Sequence, residues 1–393
     1  MSHFKLLALF TTAIFLAGCL SGAQQDDANI QPVKRGAAPV VDLTDYSATR
    51  PVYALKEVVP FIINSASTPL KGHVYLPDTP NPVATILEYS PYHNQPEDPS
   101  DSHVQVINGT RTMTGNHRPL LEAGFAVALV NLRGTGVSGG CVQWGTQTDL
   151  DDVALVIETL AAKPWSNGNV GMVGTSYPGW TQFMAMAVAD KAPSLKATIP
   201  VSGLVDLYNL LGRNGATLSI APVVTTQWHA LYSFREATYL PTDSRTGQPN
   251  RGDCPPRAIE DLQESLMLYG VGDRNDYWDQ RDLRQELTQS KVPTFFTLGF
   301  TDGEGHILQN EGVWDLFQHE DRRLMFGQWG HGGTNHPSGD WPLMRVAWFD
   351  HYLNGGPPLL ERNIVEYQDD LNNWHTSSSW PPIANQTKIY LSD

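Results

Sequence analysis

The sequence has few basic residues, few cysteines and no long apolar run beyond its first residues, and each shortage limits what the protein can be. Its 26 lysines and arginines stand against 41 aspartates and glutamates, which gives a net charge of −15. Because nucleic acids and anionic membrane surfaces bind to basic faces, neither is expected as a partner. After Cys19 no apolar run is long enough to predict a transmembrane helix.

The first residues instead predict a targeting segment. Lys5 precedes an apolar run over residues 6–16, which is too short to span a membrane as a mature helix. The following Ala17-Gly18-Cys19 completes a resemblance to the bacterial lipobox, in which the cysteine becomes the lipid-bearing first residue of the mature protein. We therefore predict a signal peptide over 1–18 and a polar, lipid-anchored tether over 19–50.

The alternative to a lipoprotein signal is an ordinary secretory signal that is cut near Cys19. Both signals predict export. The expected location is the bacterial cell envelope, facing the periplasm or the exterior, with the lipid anchor as the only membrane contact.

The cysteine count allows one intrachain disulfide at most. The sequence has three cysteines, and lipidation of Cys19 would leave Cys141 and Cys254 as an even pair in an oxidising compartment. A disulfide between them and two buried free thiols are equally compatible with the sequence.

Short apolar runs alternate with helix-like segments in the rest of the chain, which predicts βαβ units and a parallel sheet. A first hairpin is expected around residues 65–69. The later predicted strands are 83–88, 126–132, 170–173, 197–201, 294–298 and 323–326, and the predicted helices include 150–162 and 180–189. A chain of 393 residues can bury a large core, either as one α/β domain with insertions or as two domains.

This alternation lapses twice. Residues 202–290 contain helix-like stretches among glycine- and proline-containing loops, and we predict that they form a cap inserted into a catalytic domain made of 51–201 and 291–360. After 360 the pattern changes to two strand-like segments, 364–367 and 388–391, and these 33 residues at 361–393 are too few for an independent β-domain.

The run from Val170 to Gly179 predicts a nucleophile elbow around Ser176. A sharp turn from strand to helix exposes a serine hydroxyl at the top of a sheet, where a base can activate it. Gly174 fits the G-x-S-x-G pattern, whereas its second glycine is displaced to Gly179 by Pro178. Proline suits the first turn of a helix, and Tyr177 still supplies the N–H expected of an oxyanion hole.

Two later strands are followed by residues that could complete a catalytic triad in the order Ser, Asp, His. Asp302 follows the strand 294–298, and His331 follows the strand 323–326. His331 would accept the hydroxyl proton, while Asp302 would orient the imidazole. Rival residues are Glu304 for the acid, and His306 or His336 for the base.

A metal site is a weaker interpretation of the same residues. Asp302, His306, His331 and His336 are ligand types, but no H-E-x-x-H or comparably tight spacing occurs. A metal would also leave the serine elbow without a purpose. We therefore predict no metal and no cofactor in the reaction.

The elbow resembles the G-x-S-Y-x-G motif of the cocaine esterase and X-prolyl dipeptidyl peptidase group of α/β-hydrolases, which accounts for the position of Gly179. Residues 131–140 resemble the group's D-x-R-G-x-G-x-S-x-G segment, with Asn131 in place of the usual Asp. Further similar segments, in the expected order, are 165–168, 277–278 and 348–353.

The resemblance implies an α/β-hydrolase fold with a helical cap and a C-terminal β jelly-roll, of which 361–393 would be only the beginning. It also implies that the Tyr92 hydroxyl is the second oxyanion donor beside the Tyr177 N–H. Without the resemblance, Tyr92 is an ordinary loop residue.

The predicted function is that of an exported serine hydrolase that cleaves ester or amide bonds through an acyl-enzyme. The substrate would be an X-Pro peptide or, alternatively, a small acyl ester or amide. A peptidase needs an anion to hold the substrate amine, and Asp206, Asp273, Asp276 and Glu304 are too many candidates to choose among. An alternative of another class is a catalytically silent, lipid-anchored binding protein. The sequence predicts no oligomeric state.

Overall fold

The apolar runs form the strands of one large sheet in the computed structural model of the chain. It describes residues 41–93, 103–213, 216–217, 274–303, 306–307, 312–332, 334 and 340–382. All of these residues belong to a compact unit that begins at Ala37.

The main sheet has ten strands in the order β1-β2-β6-β3-β7-β8-β11-β12-β13-β14. The strands, including two small separate hairpins formed by β4–β5 and β9–β10, are β1 (Leu55–Ser65), β2 (Thr68–Pro77), β3 (Val83–Ser90), β4 (Val104–Ile107), β5 (Thr110–Met113), β6 (Ala126–Asn131), β7 (Ser166–Thr175), β8 (Leu195–Val201), β9 (Gly212–Arg213), β10 (Ala216–Thr217), β11 (Thr294–Gly299), β12 (Arg322–Gly327), β13 (Ile364–Gln368) and β14 (Trp374–Ser377). From β6 to β13 neighbouring strands are parallel, and antiparallel pairs lie at both edges.

Helices cover both faces of this sheet. The described helices are α1 (Thr44–Thr49), α2 (Arg118–Glu122), α3 (Gln147–Ala161), α4 (Tyr177–Ala187), α5 (Leu207–Leu211), α6 (Asp276–Asp279), α7 (Arg284–Gln289), α8 (Val313–Leu316) and α9 (Trp341–Asn354). Side chains of α3 and α4 belong to one buried cluster, whereas those of α2 and α9 belong to a second.

Strand β6 contributes side chains to both buried clusters. Ala128 and Val130 lie in the first, while Val127 and Leu129 lie in the second, because successive side chains of a strand point to opposite faces. A continuous apolar strand is therefore expected at the centre of a parallel sheet covered on both sides.

This architecture confirms the predicted α/β-hydrolase fold, and all the predicted strands before residue 368 are present with shifted ends. The hairpin turns at Ala66 and Ser67, both with positive φ. Parts of the predicted cap at 202–290 lie outside the described residues.

The end of the predicted tether is structured, which corrects that prediction for residues 41–50. Leu43 is buried, and α1 follows it directly. Arg50 then forms an ion pair with Asp350 of α9 at 2.9 Å. A buried leucine and a long-range ion pair hold this segment on the domain.

The predicted opening of a C-terminal β-domain also differs from the structure. Strand β13 pairs in parallel with β12, and β14 pairs with β13, so residues 364–377 extend the main sheet. The predicted strand at 388–391 lies outside the described residues. Within the described ranges, no helix has both the length and the apolar character needed to cross a membrane.

Candidate active site

Ser176 occupies a strained turn between β7 and α4. Its backbone has φ 68° and ψ −121°, in a region that residues with a side chain rarely adopt. The Ser176 N–H donates to the Val201 carbonyl at 2.9 Å, and the Ser176 carbonyl accepts the N–H groups of Gly179 and Trp180. The end of β8 and the first turn of α4 thus fix the turn from both sides.

Both glycines of the elbow are required because neighbouring atoms leave no room for a Cβ. At Gly174, where φ is 157°, a Cβ would overlap the Pro178 ring. At Gly179 it would lie 2.7 Å from Gly203 Cα. The displaced second glycine is explained because α4 packs backbone to backbone against the residues that follow β8, while Pro178 sits in the first helical turn as predicted.

Asp302 and His331 are joined by a hydrogen bond of 2.6 Å between Asp302 Oδ1 and His331 Nδ1. A carboxylate only accepts, so Nδ1 carries a proton and donates it, which leaves Nε2 as the basic nitrogen. Asp302 is 2% exposed, whereas the His331 side chain is 46% exposed. The pair therefore links a buried anion to an accessible imidazole.

The register of the sheet brings these two residues together. Strands β11 and β12 are parallel, with Gly299 opposite Gly327, so both loops leave the same edge of the sheet at the same level. Two backbone hydrogen bonds then join the loops, from Phe300 N–H to the Gly327 carbonyl and from Thr301 N–H to the Trp329 carbonyl.

The histidine loop also contacts the elbow. A Cβ placed on Gly332 would lie 3.0 Å from Cγ2 of Thr175. The neighbours of His331 and Ser176 in the sequence are therefore in contact, and the acid, the histidine and the serine share one edge of the sheet, as their chain order predicts.

Tyr92 reaches Ser176 from the loop after β3. Its hydroxyl lies in hydrogen-bonding contact with the Ser176 side chain, and its backbone N–H donates to Ser90 Oγ at 3.1 Å. Desolvation raises the pKa of the Tyr92 phenol to about 12, and the contact with Ser176 opposes part of that rise. Tyr92 is therefore a protonated hydrogen-bond donor near neutral pH.

Aromatic rings line the start of α4. The Tyr177 ring meets Tyr92 edge to face at 6.5 Å and lies 6.3 Å from Trp144 and 5.1 Å from Trp180, between ring centroids. Tyr177 begins α4, so the helical ladder does not use its N–H. Sequence reasoning missed Trp144, which has no signal of its own in a glycine-rich loop.

The segment 131–140 has a structural role. Arg133 makes a bidentate ion pair with buried Asp152 of α3, at 2.8 Å and 2.7 Å. Asn131 is fully buried, donates from Nδ2 to the Lys71 carbonyl at 3.3 Å and accepts at its own carbonyl from Ser138. The side-chain amide of Asn131 thus ties β6 to β2, while its backbone carbonyl anchors the following loop at Ser138.

His306, a rival for the base in the sequence, lies beside His331 rather than replacing it. The two ring centroids are 4.6 Å apart. Burial lowers the pKa of the His306 imidazole to about 4. The other rivals, Glu304 and His336, lie outside the described residues.

Asp206 does not offer a spare negative charge for a substrate amine. It is fully buried, and its Oδ2 accepts from Arg274 at 2.8 Å and faces Arg284 at 3.2 Å. Its Oδ1 accepts the Tyr208 N–H. Asp276 begins α6, and Asp273 lies outside the described residues.

Cys141 is disulfide-bonded. Because Cys254 lies outside the described residues, the pairing of these two cysteines stays a prediction. The same holds for lipidation of Cys19.

Comparison with known proteins shows that the candidate site residues lie within a known protein family profile. The profile of the X-Pro dipeptidyl-peptidase (S15 family) matches residues 67–333, a span that contains Tyr92, Ser176, Asp302 and His331. A Bacillus anthracis protein named "Putative Xaa-Pro dipeptidyl-peptidase" is 26% identical over 387 residues, covering 88% of this chain and 62% of the relative. Cocaine esterase from Rhodococcus sp. is 26% identical over 363 residues, covering 81% and 59%.

Solved structures share the fold. An α-amino acid ester hydrolase matches with a TM-score of 0.60 at 19% identity, and a CocE/NonD family hydrolase from Staphylococcus aureus with 0.61 at 18% identity. Each comparison covers 88% of this chain and 62% of the solved chain. The chain thus spans about three fifths of the length of the proteins it matches.

Proposed function

Because this chain belongs to the X-Pro dipeptidyl-peptidase (S15) family of hydrolases, we propose that it is a serine hydrolase that cleaves ester or amide bonds through an acyl-enzyme on Ser176. The observation that carries the proposal is the hydrogen bond of 2.6 Å between buried Asp302 and accessible His331, at the sheet edge that bears the elbow. The contact of Tyr92 with Ser176 supports it further.

In the proposed reaction, His331 Nε2 accepts the hydroxyl proton as Ser176 Oγ attacks the acyl carbon. The bond from Oγ to that carbon forms, and the carbonyl oxygen takes the electron pair of its π bond. The Tyr177 N–H and the Tyr92 hydroxyl donate to this oxyanion. Asp302 stabilises the imidazolium that results.

Collapse of the tetrahedral intermediate expels the amine or alcohol, which takes its proton from His331. Water then attacks the acyl-enzyme with His331 as the base again, and the acid product leaves Ser176 free. The chemistry uses only protein groups and water.

The proposed substrates follow from two classes of relative. One is named for Xaa-Pro dipeptidyl-peptidase and the other for cocaine esterase. Release of X-Pro from a peptide needs an anion near the substrate amine, and Asp206 is buried and already paired with Arg274 and Arg284. That pairing excludes Asp206 alone, and a small acyl ester or amide is the second candidate substrate because one relative is named for cocaine esterase.

Hydrolysis of three substrates separates these alternatives. We would measure kcat/KM on an X-Pro anilide, on the same anilide with its amine blocked, and on a simple aryl ester, using the full chain and Ser176→Ala as the blank. A peptidase favours the first substrate and loses most activity on the second. An ester preference that is indifferent to the blocked amine contradicts the peptidase assignment and supports the acyl esterase.

We also propose export to a bacterial cell envelope through the 1–18 segment, with a lipid on Cys19. Metabolic labelling with a fatty-acid analogue should mark the wild-type chain and should not mark Cys19→Ser. A secreted but unlabelled wild-type chain would support an ordinary secretory signal, and a chain retained in the cytoplasm would contradict export.

A further inference from the structure

The proposed reaction leaves His306 without a role, although its ring lies against the catalytic imidazole. The His306 and His331 rings are tilted by 46° with their centroids 4.6 Å apart. A hydrogen bond to the Ser202 backbone holds His306 in this place. Ser202 follows Val201, whose carbonyl accepts the Ser176 N–H, so one strand end anchors both His306 and the elbow.

Together with Asp302, the two histidines form a compact donor set. One ligand atom from each of the three residues lies within 4.8 Å of the other two. Ligand atoms around a tetrahedral zinc ion are about 3.4 Å apart, so only a small closure of the cluster is needed. His331 can supply that movement because its side chain is 46% exposed.

The chemistry of the donors favours zinc over hard cations. Two imidazoles and one carboxylate are a common zinc donor set, whereas magnesium and calcium prefer oxygen ligands alone. The second carboxylate oxygen, Asp302 Oδ2, is buried and has no hydrogen-bond partner among the residues the structure describes. It is thus a potential ligand atom that no described residue uses.

We propose that Asp302, His306 and His331 bind a zinc ion that inhibits the enzyme. The ion would take the lone pair of His331 Nδ1, with the ring proton moved to Nε2, and an oxygen of Asp302, so Nε2 could no longer accept the Ser176 proton. His306 is the residue that turns a catalytic acid–histidine pair into a three-ligand site. The binding claim stands on this cluster alone, whereas the inhibition claim rests on the proposed function.

Zinc binding is tested without any turnover in the Ser176→Ala chain. Calorimetric titration with zinc chloride at neutral pH should reveal one bound ion. Adding His306→Ala should weaken binding by at least tenfold, because even residues that only orient metal ligands contribute roughly 10- to 100-fold to affinity. His306→Gln is the second variant, since it keeps a side-chain donor near Ser202 and removes the imidazole.

The matched control is His375→Ala in the same background. His375 Nε2 lies 2.9 Å from Asp369 Oδ2, which makes a second histidine–aspartate pair, between β14 and the turn that precedes it. This variant should bind zinc with unchanged affinity. Absence of binding by the Ser176→Ala chain, or unchanged affinity in both folded His306 variants, would overturn the site.

Inhibition is tested on the wild-type serine. The rate at which a fluorophosphonate labels Ser176 should fall as zinc is added and should recover with a chelator. The labelling rate of His306→Gln should stay close to its own metal-free rate when the same zinc is added. Zinc that binds but leaves wild-type labelling unchanged would overturn the inhibition. If metal-free wild type is not labelled, the proposed function fails, and the calorimetry still decides the zinc site.

Discussion

His331 Nδ1 and Asp302 Oδ1 lie 2.6 Å apart although 29 residues separate them in the chain. The carboxylate is buried and the imidazole is accessible, so an aspartate shielded from solvent orients a ring that a substrate can reach. The Asp302–His331 pair can support catalysis only if His331 carries its proton on Nδ1, because Nε2 is then free to accept a proton.

Asp302→Asn should lower kcat by about 10⁴-fold while the fold remains, because an amide of the same shape no longer fixes the proton on His331 Nδ1. The measurement is kcat on an aryl ester together with the thermal unfolding midpoint. Asp369→Asn, which alters the exposed pair with His375, is the matched control and should keep full activity. Comparable activity of Asp302→Asn and wild type would remove Asp302 from the reaction.

Tyr92→Phe should lower kcat by about 10²- to 10³-fold, the usual effect of losing one oxyanion donor, with a smaller change in KM. The phenol has a pKa of about 12, above its ordinary value of 10.0. Because only the protonated form donates, wild-type kcat should not fall through deprotonation of this residue up to about pH 10. An equal kcat for Tyr92→Phe would contradict the assignment of this hydroxyl.

Removing one partner of the Arg133–Asp152 pair should strongly destabilise the fold. The two side chains are 8% and 0% exposed, so Arg133→Leu leaves an uncompensated buried carboxylate and should lower the free energy of unfolding by about 3–5 kcal/mol. Lys191→Ala breaks an ion pair with Asp151 in which both side chains are 51% exposed, and should cost less than about 1 kcal/mol. Denaturant titrations in which both variants lose the same free energy of unfolding would contradict this difference.

Asp149 should make the fold less stable as pH rises. Burial raises the pKa of this carboxyl from 3.8 to about 7, so between these values the folded state holds a proton that the unfolded state has lost. The free energy of unfolding therefore falls through this window, by roughly 4 kcal/mol at most.

Asp149→Asn should be close to wild type in stability near pH 4 and more stable above pH 7, because the amide cannot ionise and can still accept the Gly145 N–H. Thermal unfolding at both pH values is the measurement. A wild-type chain that is more stable than the variant above pH 7 would contradict the protonated state of Asp149.

The buried strands could be predicted from sequence because a strand covered on both faces is mostly apolar, as β6 is from Ala126 to Val130. Their ends could not. Strand β7 begins at Ser166, four residues before the predicted start, because polar residues pair with a neighbouring strand without any apolar signal. The docking of residues 41–50 depends on an ion pair between Arg50 and Asp350 across 300 residues, which no local pattern reports.

The candidate site was predictable where chain order and local chemistry suffice. Ser176 follows from its glycines, and Asp302 and His331 follow from their places after two parallel strands. Tyr92 required the family resemblance, because nothing in its own loop distinguishes it. The packing of His306 against His331, and of Trp144 against Tyr177, arises only when separate loops converge on one edge of the sheet.

Covalent labelling tests the central claim, that Ser176 is a nucleophile activated by His331. The folded full-length chain is treated with a fluorophosphonate, and the modified residue is located by mass spectrometry of its peptides. The account predicts one label on Ser176 of the wild type, none at that position in Ser176→Ala, and much slower labelling in His331→Ala. A folded wild-type chain that stays unlabelled, or one labelled on another residue with Ser176 unmodified, would contradict it.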